Sequence, residues 1–288
     1  MALGAAGSDR LAYELGRVVG REARAVGVHI NFGPVLDVNS NPANPIINTR
    51  SFGEDPALVA RLGAAYIRGA HDAGLLTTAK HFPGHGDTSE DSHLELPVIG
   101  ADRARMDAVE LPPFQAAVRE GVDAIMTAHI AVRGVLGEDA PPATLSPYFM
   151  TGVLREELGF EGLLVTDAMT MGGVADEFGG GDEVLIRALE AGADILLMPP
   201  DVGEAVEAVT GAVERGRLPE ERLDASVRRI LEAKARAGVH RSRTVDLEAV
   251  DEVVGVRAHT ELARQVAERS LTLVRDRSGL VPIADSAR

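Results

Sequence analysis

The sequence predicts an α/β fold, specifically a TIM-type (β/α) barrel that lacks part of its ring, and three observations lead there. Short runs rich in Val, Ile and Leu alternate with longer amphipathic stretches, the pattern of parallel strands joined by crossover helices. Each apolar run ends in polar or charged residues, which gathers polar chemistry at strand C-termini, where such barrels carry their sites. The chain of 288 residues can also bury a substantial core and accommodates one barrel of about 250 residues.

The strand candidates, in order, are Val28 to Val38, Thr77 to Phe82, Ala124 to His129, Leu163 to Asp167 and Asp194 to Met198. Helix signals fit between them. Asp55 is placed to cap a helix with Pro56 at its first position, and Ser146 with Pro147 repeats the pattern. Gly74 and Gly159 supply helix stops. Leu223, Val227, Ile230 and Leu231 recur at helical spacing and predict one apolar stripe facing a sheet.

These make five β/α units, whereas a closed barrel needs about eight strands. The opening residues read as the middle of a fold, so the first strands are expected to be missing and the edge of Val28 to Val38 to be unpaired and prone to association. Beyond Gly238 the sequence turns polar before a last helix from about Arg257 to Arg269, and a strand-like SLTLVRD starts at Ser270. The expected organisation is a catalytic barrel over residues 1–240, then a linker helix and the beginning of a further domain over 241–288.

With 29 Lys plus Arg against 44 Asp plus Glu, the net charge is −15, which disfavours nucleic acid and anionic lipid as partners. The absence of cysteine excludes a disulfide scaffold, a thiolate metal site and a Cys nucleophile. No apolar run approaches the roughly 20 residues that span a bilayer, and MALGAAGSDR lacks the pattern of an export signal. The expected location is the cytoplasm.

The densest polar constellation is KHFPGHGDTSEDSH, Lys80 to His93, with three His, three acids and one Lys in fourteen residues. Gly84 and Gly86 suggest a loop able to move over a pocket. Asp91 and His93 are two apart, so in an extended loop the carboxylate can orient the imidazole and make a general acid/base pair; otherwise they are solvated loop residues. Asp167 ends an apolar strand and either faces a barrel mouth or caps a helix. Arg50 closes NPANPIINTRSFGEDP and either holds a ligand oxygen or pairs with Asp55. His81, His85, Asp87, Asp91, His93 and His129 offer enough donors for a metal-dependent hydrolase, but match no compact ligand helix and sit beside Lys80.

Together NFGPVLDVNSNPANPIINTRSFGEDP, KHFPGHGDTSEDSH, MTAHI and VTDAMTMGG resemble, in order, the motifs of glycoside hydrolase family 3, in particular its bacterial β-N-acetylhexosaminidase branch. The resemblance implies a TIM barrel that removes terminal β-linked N-acetylglucosamine from cell-wall or chitin-type glycans through a covalent glycosyl-enzyme. It implies that Arg50, Lys80 and His81 bind the sugar, that Asp167 attacks C1, and that His93, assisted by Asp91, is acid/base. No cofactor and no metal are implied, and oligomeric state is left open. The DSH triplet favours the hexosaminidase branch over β-glucosidases; phosphorolysis within the same family is an alternative. The family's upstream D-x-E-G-G-x-V-x-R segment has no counterpart here, which leaves an inactive sugar-binding fragment as the reading from another class.

Overall fold

The computed structural model of the chain describes residues 1–90, 96–175, 178 and 180–282. Its centre is a parallel sheet of four strands, β1 (Ile30–Asn31), β2 (Leu76–Phe82), β4 (Ala124–Thr127) and β6 (Leu163–Val165), in the spatial order β1-β2-β4-β6. Val35 adds a parallel bridge to Lys80 beside β1, and Ile195 adds one to Val165 beyond β6. A separate parallel pair, β3 (Val98–Ile99) with β5 (Ala131–Val132), lies near the C-terminal edge of the main sheet. Strand neighbours therefore follow chain order, as in an arc of a (β/α) barrel. β1 ends the sheet and is hydrogen-bonded to β2 alone among the described strands.

Both faces of the sheet are covered, so its strands read as nearly continuous apolar runs. Ala79, Ile125 and Leu164 point into the main core with Leu36, Phe82, Phe114, Phe149 and Val153. The alternate residues Ala124, Met126, Leu163 and Val165 face Ile230 and Ala233 of the helix Glu220–Arg236. Phe82 and Phe114 meet edge to face with centroids 5.4 Å apart, the arrangement that the ring quadrupoles favour.

One long helix leads into β1 and another carries β1 into β2. The helix Asp9–Ala25 starts at Ser8, whose hydroxyl accepts from Leu11 N–H at 3.4 Å. The helix Pro56–Asp72 starts at Asp55, whose carboxylate accepts from Ala57 N–H at 2.9 Å, and ends before Gly74 at φ 75°. These helices touch backbone to backbone: a Cβ on Gly16 would lie 2.2 Å from the Tyr66 carbonyl oxygen, and one on Gly69 1.9 Å from that of Tyr13. The last helix, Arg257–Ser270, seats Leu262 and Val266 on Leu11, Leu62 and Ala65, and His259 Nδ1 lies 2.7 Å from Glu22 Oε1.

Two buried carboxylates mark the strand N-terminal ends. Asp123 accepts from Thr77 N–H at 2.9 Å and lies 2.8 Å from His71 Nε2. Asp194 accepts from Leu164 N–H at 2.9 Å and Ser226 Oγ at 2.6 Å, with Arg155 and Arg229 at 2.7 and 3.0 Å and Arg222 at 3.6 Å.

The structure corrects several expectations. Regular strand pairing in the run Val28 to Val38 is limited to Ile30–Asn31 and the Val35 bridge, since Pro34 has no N–H for the ladder, although backbone hydrogen bonds to β2 continue from His29 to Leu36. Ser146 does not cap a helix: Pro147 occupies that position, without a side-chain cap bond, and Tyr148–Glu157 winds with π-type bonding. The stripe on Glu220–Arg236 is not one buried face, since Val227 and Leu231 are exposed while Ser226 and Ala233 are buried. Ser270 ends a helix rather than opening a strand; Leu271 to Asp276 follow without strand pairing, with Leu271 and Val274 exposed. A strand needs a partner edge, and the chain presents none there among the described residues.

Candidate active site

The C-terminal edge of the sheet carries the polar residues. At its centre is Asp37, fully buried just beyond the Val35 bridge. Three N–H groups converge on its carboxylate: His81 N and His85 N reach Oδ1 at 3.1 and 2.8 Å, and His81 Nδ1 lies 2.7 Å from Oδ2. Burial raises the carboxyl's pKa, but electrostatic attraction and hydrogen bonding from His81, with further contributions from His85, outweigh it and hold Asp37 below the ordinary carboxylate range. On the other side of the His81 ring, Nε2 lies 3.4 Å from Arg50 Nη2. The other end of the guanidinium, Nη1, donates to the Ile46 carbonyl at 3.3 Å. The alternative pairing with Asp55 is not formed, because Asp55 caps its own helix.

Lys80 precedes His81 on β2 and is half-buried. Burial lowers its ammonium pKa and Arg50 adds to the shift, while Asp167 and Asp37 pull the other way. Lys80 thus lies within electrostatic reach of Arg50, Asp167 and Asp37, next to His81 in the chain. Asp167 follows β6, and its Oδ1 accepts from the N–H of Ala168 at 2.8 Å. It caps no helix: the next one, Gly172–Ala175, begins five residues later. Thr166 N–H donates to Ile195 at 3.0 Å, Leu197 N–H to Thr166 Oγ1 at 2.9 Å, and Met169 N–H to Leu197 at 2.8 Å. The peptides on both sides of Asp167 are therefore pinned to the neighbouring segment.

Behind Asp167 stands His129, buried, with Nε2 3.0 Å from the Ala168 carbonyl oxygen and Nδ1 2.9 Å from Thr144 Oγ1. Burial lowers its imidazole pKa, against the pull of Asp167. His85, also buried, places Nδ1 2.8 Å from Thr88 Oγ1, and burial lowers its pKa likewise against the pull of Asp37.

The first half of the Lys80 to His93 loop is packed rather than free. Gly84 to Gly86 and Thr88 are buried. Asn44 Nδ2 donates to the His85 carbonyl at 2.8 Å, and Asn41 Nδ2 to that of Thr88 at 3.2 Å. Arg105 lies 3.1 Å from Asp87. The Asn-Pro turns of the preceding segment thus serve to hold this loop, and Gly86 permits backbone contact: a Cβ there would lie 1.8 Å from the Val38 carbonyl oxygen. Asp91 and His93, the acid/base pair expected from sequence, lie outside the described residues.

The structure brings together Arg50, Lys80, His81 and Asp167. Sequence reasoning missed Asp37 as a site residue, although it ends the apolar run PVLD as Asp167 ends GLLVTD. It considered His85 and His129 only as metal donors. Among the described residues no cluster of three or more His, Cys, Asp or Glu is arranged to hold a metal ion. Both His81 nitrogens are engaged by Asp37 and Arg50, and both His129 nitrogens by Thr144 and Ala168.

A carboxylate, a lysine and an arginine–histidine pair on the C-terminal rim of a parallel sheet have the form of a (β/α)-barrel enzyme site. Residues 1–233 match the model of the glycosyl hydrolase family 3 N-terminal domain. The chain belongs to glycosyl hydrolase family 3. It is 36% identical over 299 aligned positions to β-hexosaminidase A of Pseudoalteromonas piscicida, covering 97% of this chain and 49% of that protein. It is 37% identical to a β-N-acetylglucosaminidase/β-glucosidase of Cellulomonas fimi, covering 98% and 51%. Among solved structures, a family 3 β-N-acetylglucosaminidase from Paenibacillus sp. str. FPU-7 superposes with a TM-score of 0.90 at 46% identity, over 96% of this chain and 52% of that one. The β-glucoside phosphorylase BglX superposes with a TM-score of 0.94 at 34% identity, over 99% and 53%. The chain therefore spans about half the length of these relatives.

Proposed function

We propose that this chain carries the catalytic site of a retaining β-N-acetylhexosaminidase, which removes terminal β-linked N-acetylglucosamine from cell-wall or chitin-type glycans. The observation that carries the reading is the placement of Asp167, Lys80, His81 and Arg50 at one edge of the sheet, with Arg50 against His81 and Asp167 within electrostatic reach of Lys80. It is supported by the names of the relatives from Pseudoalteromonas piscicida and Paenibacillus sp. str. FPU-7. Asp167 attacks C1 and forms a glycosyl ester while His93, oriented by Asp91, gives a proton to the departing oxygen. His93 then takes a proton from water as the water oxygen attacks C1 and frees Asp167, so that configuration is retained. Lys80 and Arg50 donate to sugar oxygens, and the ammonium lies within electrostatic reach of the Asp167 carboxylate.

A chromogenic β-GlcNAc glycoside tests this, with its β-glucoside counterpart and Asp167→Asn as controls. Turnover of the GlcNAc substrate that vanishes in Asp167→Asn is expected; equal or better turnover of the glucoside overturns the substrate assignment. The likeness to a β-glucoside phosphorylase favours one second reading. Phosphate in place of water would attack C1 of the glycosyl-enzyme and release a glycosyl phosphate. Phosphate-dependent formation of GlcNAc 1-phosphate would select that reading over hydrolysis.

A further inference from the structure

We propose that Asp37 is the positioning residue of the sugar-binding edge: its buried carboxylate holds His81 in the tautomer that leaves Nε2 as an acceptor, and His81 in turn holds Arg50 over the site. The role of Arg50 and His81 toward sugar rests on the function proposed above. The tautomer rests on hydrogen-bond logic alone.

A guanidinium has five N–H groups and no acceptor, so the Arg50 Nη2 contact at 3.4 Å is a hydrogen bond when Nε2 of His81 is bare. An ionised carboxylate has acceptors and no donor, so the Asp37 Oδ2 contact at 2.7 Å requires the ring proton on Nδ1. Both ends of the ring specify the same tautomer. Asp37 cannot turn away, since Oδ1 is held by the N–H groups of His81 and His85 at 3.1 and 2.8 Å and the residue has no solvent exposure. The chain Asp37–His81–Arg50 thus links a rigid buried charge to an exposed cation at the mouth.

Asp37→Asn separates this role from simple packing. The amide has the same size, and its oxygen can keep both backbone N–H groups. Its NH₂ would then face His81 Nδ1, which must accept, moving the ring proton to Nε2, where it points at Arg50. Donor would oppose donor, and Arg50 would swing out. Long-range ¹H–¹⁵N spectra of ¹⁵N-histidine-labelled protein report the tautomer directly and need no activity. We expect His81 protonated on Nδ1 in the unaltered protein and on Nε2 in Asp37→Asn. On a chromogenic β-GlcNAc glycoside, Asp37→Asn should lose on the order of 10²-fold in kcat/KM, most of it in KM. In an Arg50→Ala background the same substitution should cost less than 3-fold, because the residue through which Asp37 acts is gone.

A proton on Nε2 of His81 in the unaltered protein overturns the proposal, as does an Asp37→Asn loss that is undiminished in the Arg50→Ala background. If the Asn variant fails to fold, the spectrum of the unaltered protein decides. A correct tautomer in a protein without glycosidase activity would sink the functional reading and leave the Asp37–His81–Arg50 linkage standing.

Discussion

His129 Nε2 lies 3.0 Å from the carbonyl oxygen of Ala168, the residue that follows Asp167. A carbonyl only accepts, so Nε2 carries the proton, while Nδ1 lies 2.9 Å from Thr144 Oγ1, whose hydroxyl donates to the Ala128 carbonyl at 3.0 Å. His129→Ala would leave the Ala168 carbonyl without this donor. The expected cost is roughly 1–3 kcal/mol in stability, larger if the vacated space does not collapse. Because the Ala168–Met169 peptide, then held only through its N–H, lies one residue from Asp167, kcat should fall more than KM rises. Unchanged kcat in a folded variant would show that the peptide needs no such clamp.

Burial lowers the imidazole pKa of both His85 and His129. The unfolded chain therefore takes up protons on these rings before the folded one does. The corresponding stability is fully present above the unfolded value of about 6.5 and is lost as pH falls from there through the lower folded values. Urea midpoints should start to decline near that pH, above the carboxylate range. His129→Gln should flatten part of the slope; an identical slope in the variant would remove His129 from the account.

Asp167→Asn and His93→Ala should fail differently if each acts as proposed. An amide forms no glycosyl ester, so the first variant should be inactive on every substrate. The second should lose on the order of 10² to 10⁴ in rate with poor leaving groups, yet still glycosylate Asp167 from an activated aryl glycoside. A burst of aryl alcohol and rescue by azide are expected. Equal loss with activated and unactivated substrates, without rescue, would contradict the assignment of His93.

Gly86→Ala should be severe for a single methyl group, since the added Cβ would lie 1.8 Å from the Val38 carbonyl oxygen. Backbone must shift, and with it the His85 N–H bond to Asp37. The loss should appear in melting temperature and in kcat/KM together. A variant with wild-type values for both would mean that the loop and the Val38 segment are not in contact in solution.

Activity should survive exhaustive chelation, because a histidine that transfers protons must keep a ring nitrogen free of any ion. Loss of turnover, restored by zinc or manganese, would point to metal-assisted hydrolysis instead.

The order of the strands and the placing of polar chemistry at their C-terminal ends were legible because both are written in local periodicity. Asp167 at the end of GLLVTD and the Asp55–Pro56 helix start needed no tertiary information. What escaped were features set by distant partners. Asp37 gains its meaning from His81 and His85, more than forty positions away. The apparent stripe of Leu223, Val227, Ile230 and Leu231 fails because Asp194 draws Ser226 and Arg229 inward and fixes the helix's rotation. The loop glycines look like flexibility in isolation and prove to be sites of backbone contact, which only the neighbouring Val38 reveals.

The cluster around Asp194 also bears on how the molecule opens. One carboxylate receives groups from Arg155, Leu164, Ser226 and Arg229, up to 39 positions distant in the chain. None of these segments can withdraw alone without stranding a buried charge, so partial openings that free one of them are disfavoured. Amides of β6 and of the helix Glu220–Arg236 should consequently exchange with solvent in a single cooperative event, although more than fifty residues of chain separate them.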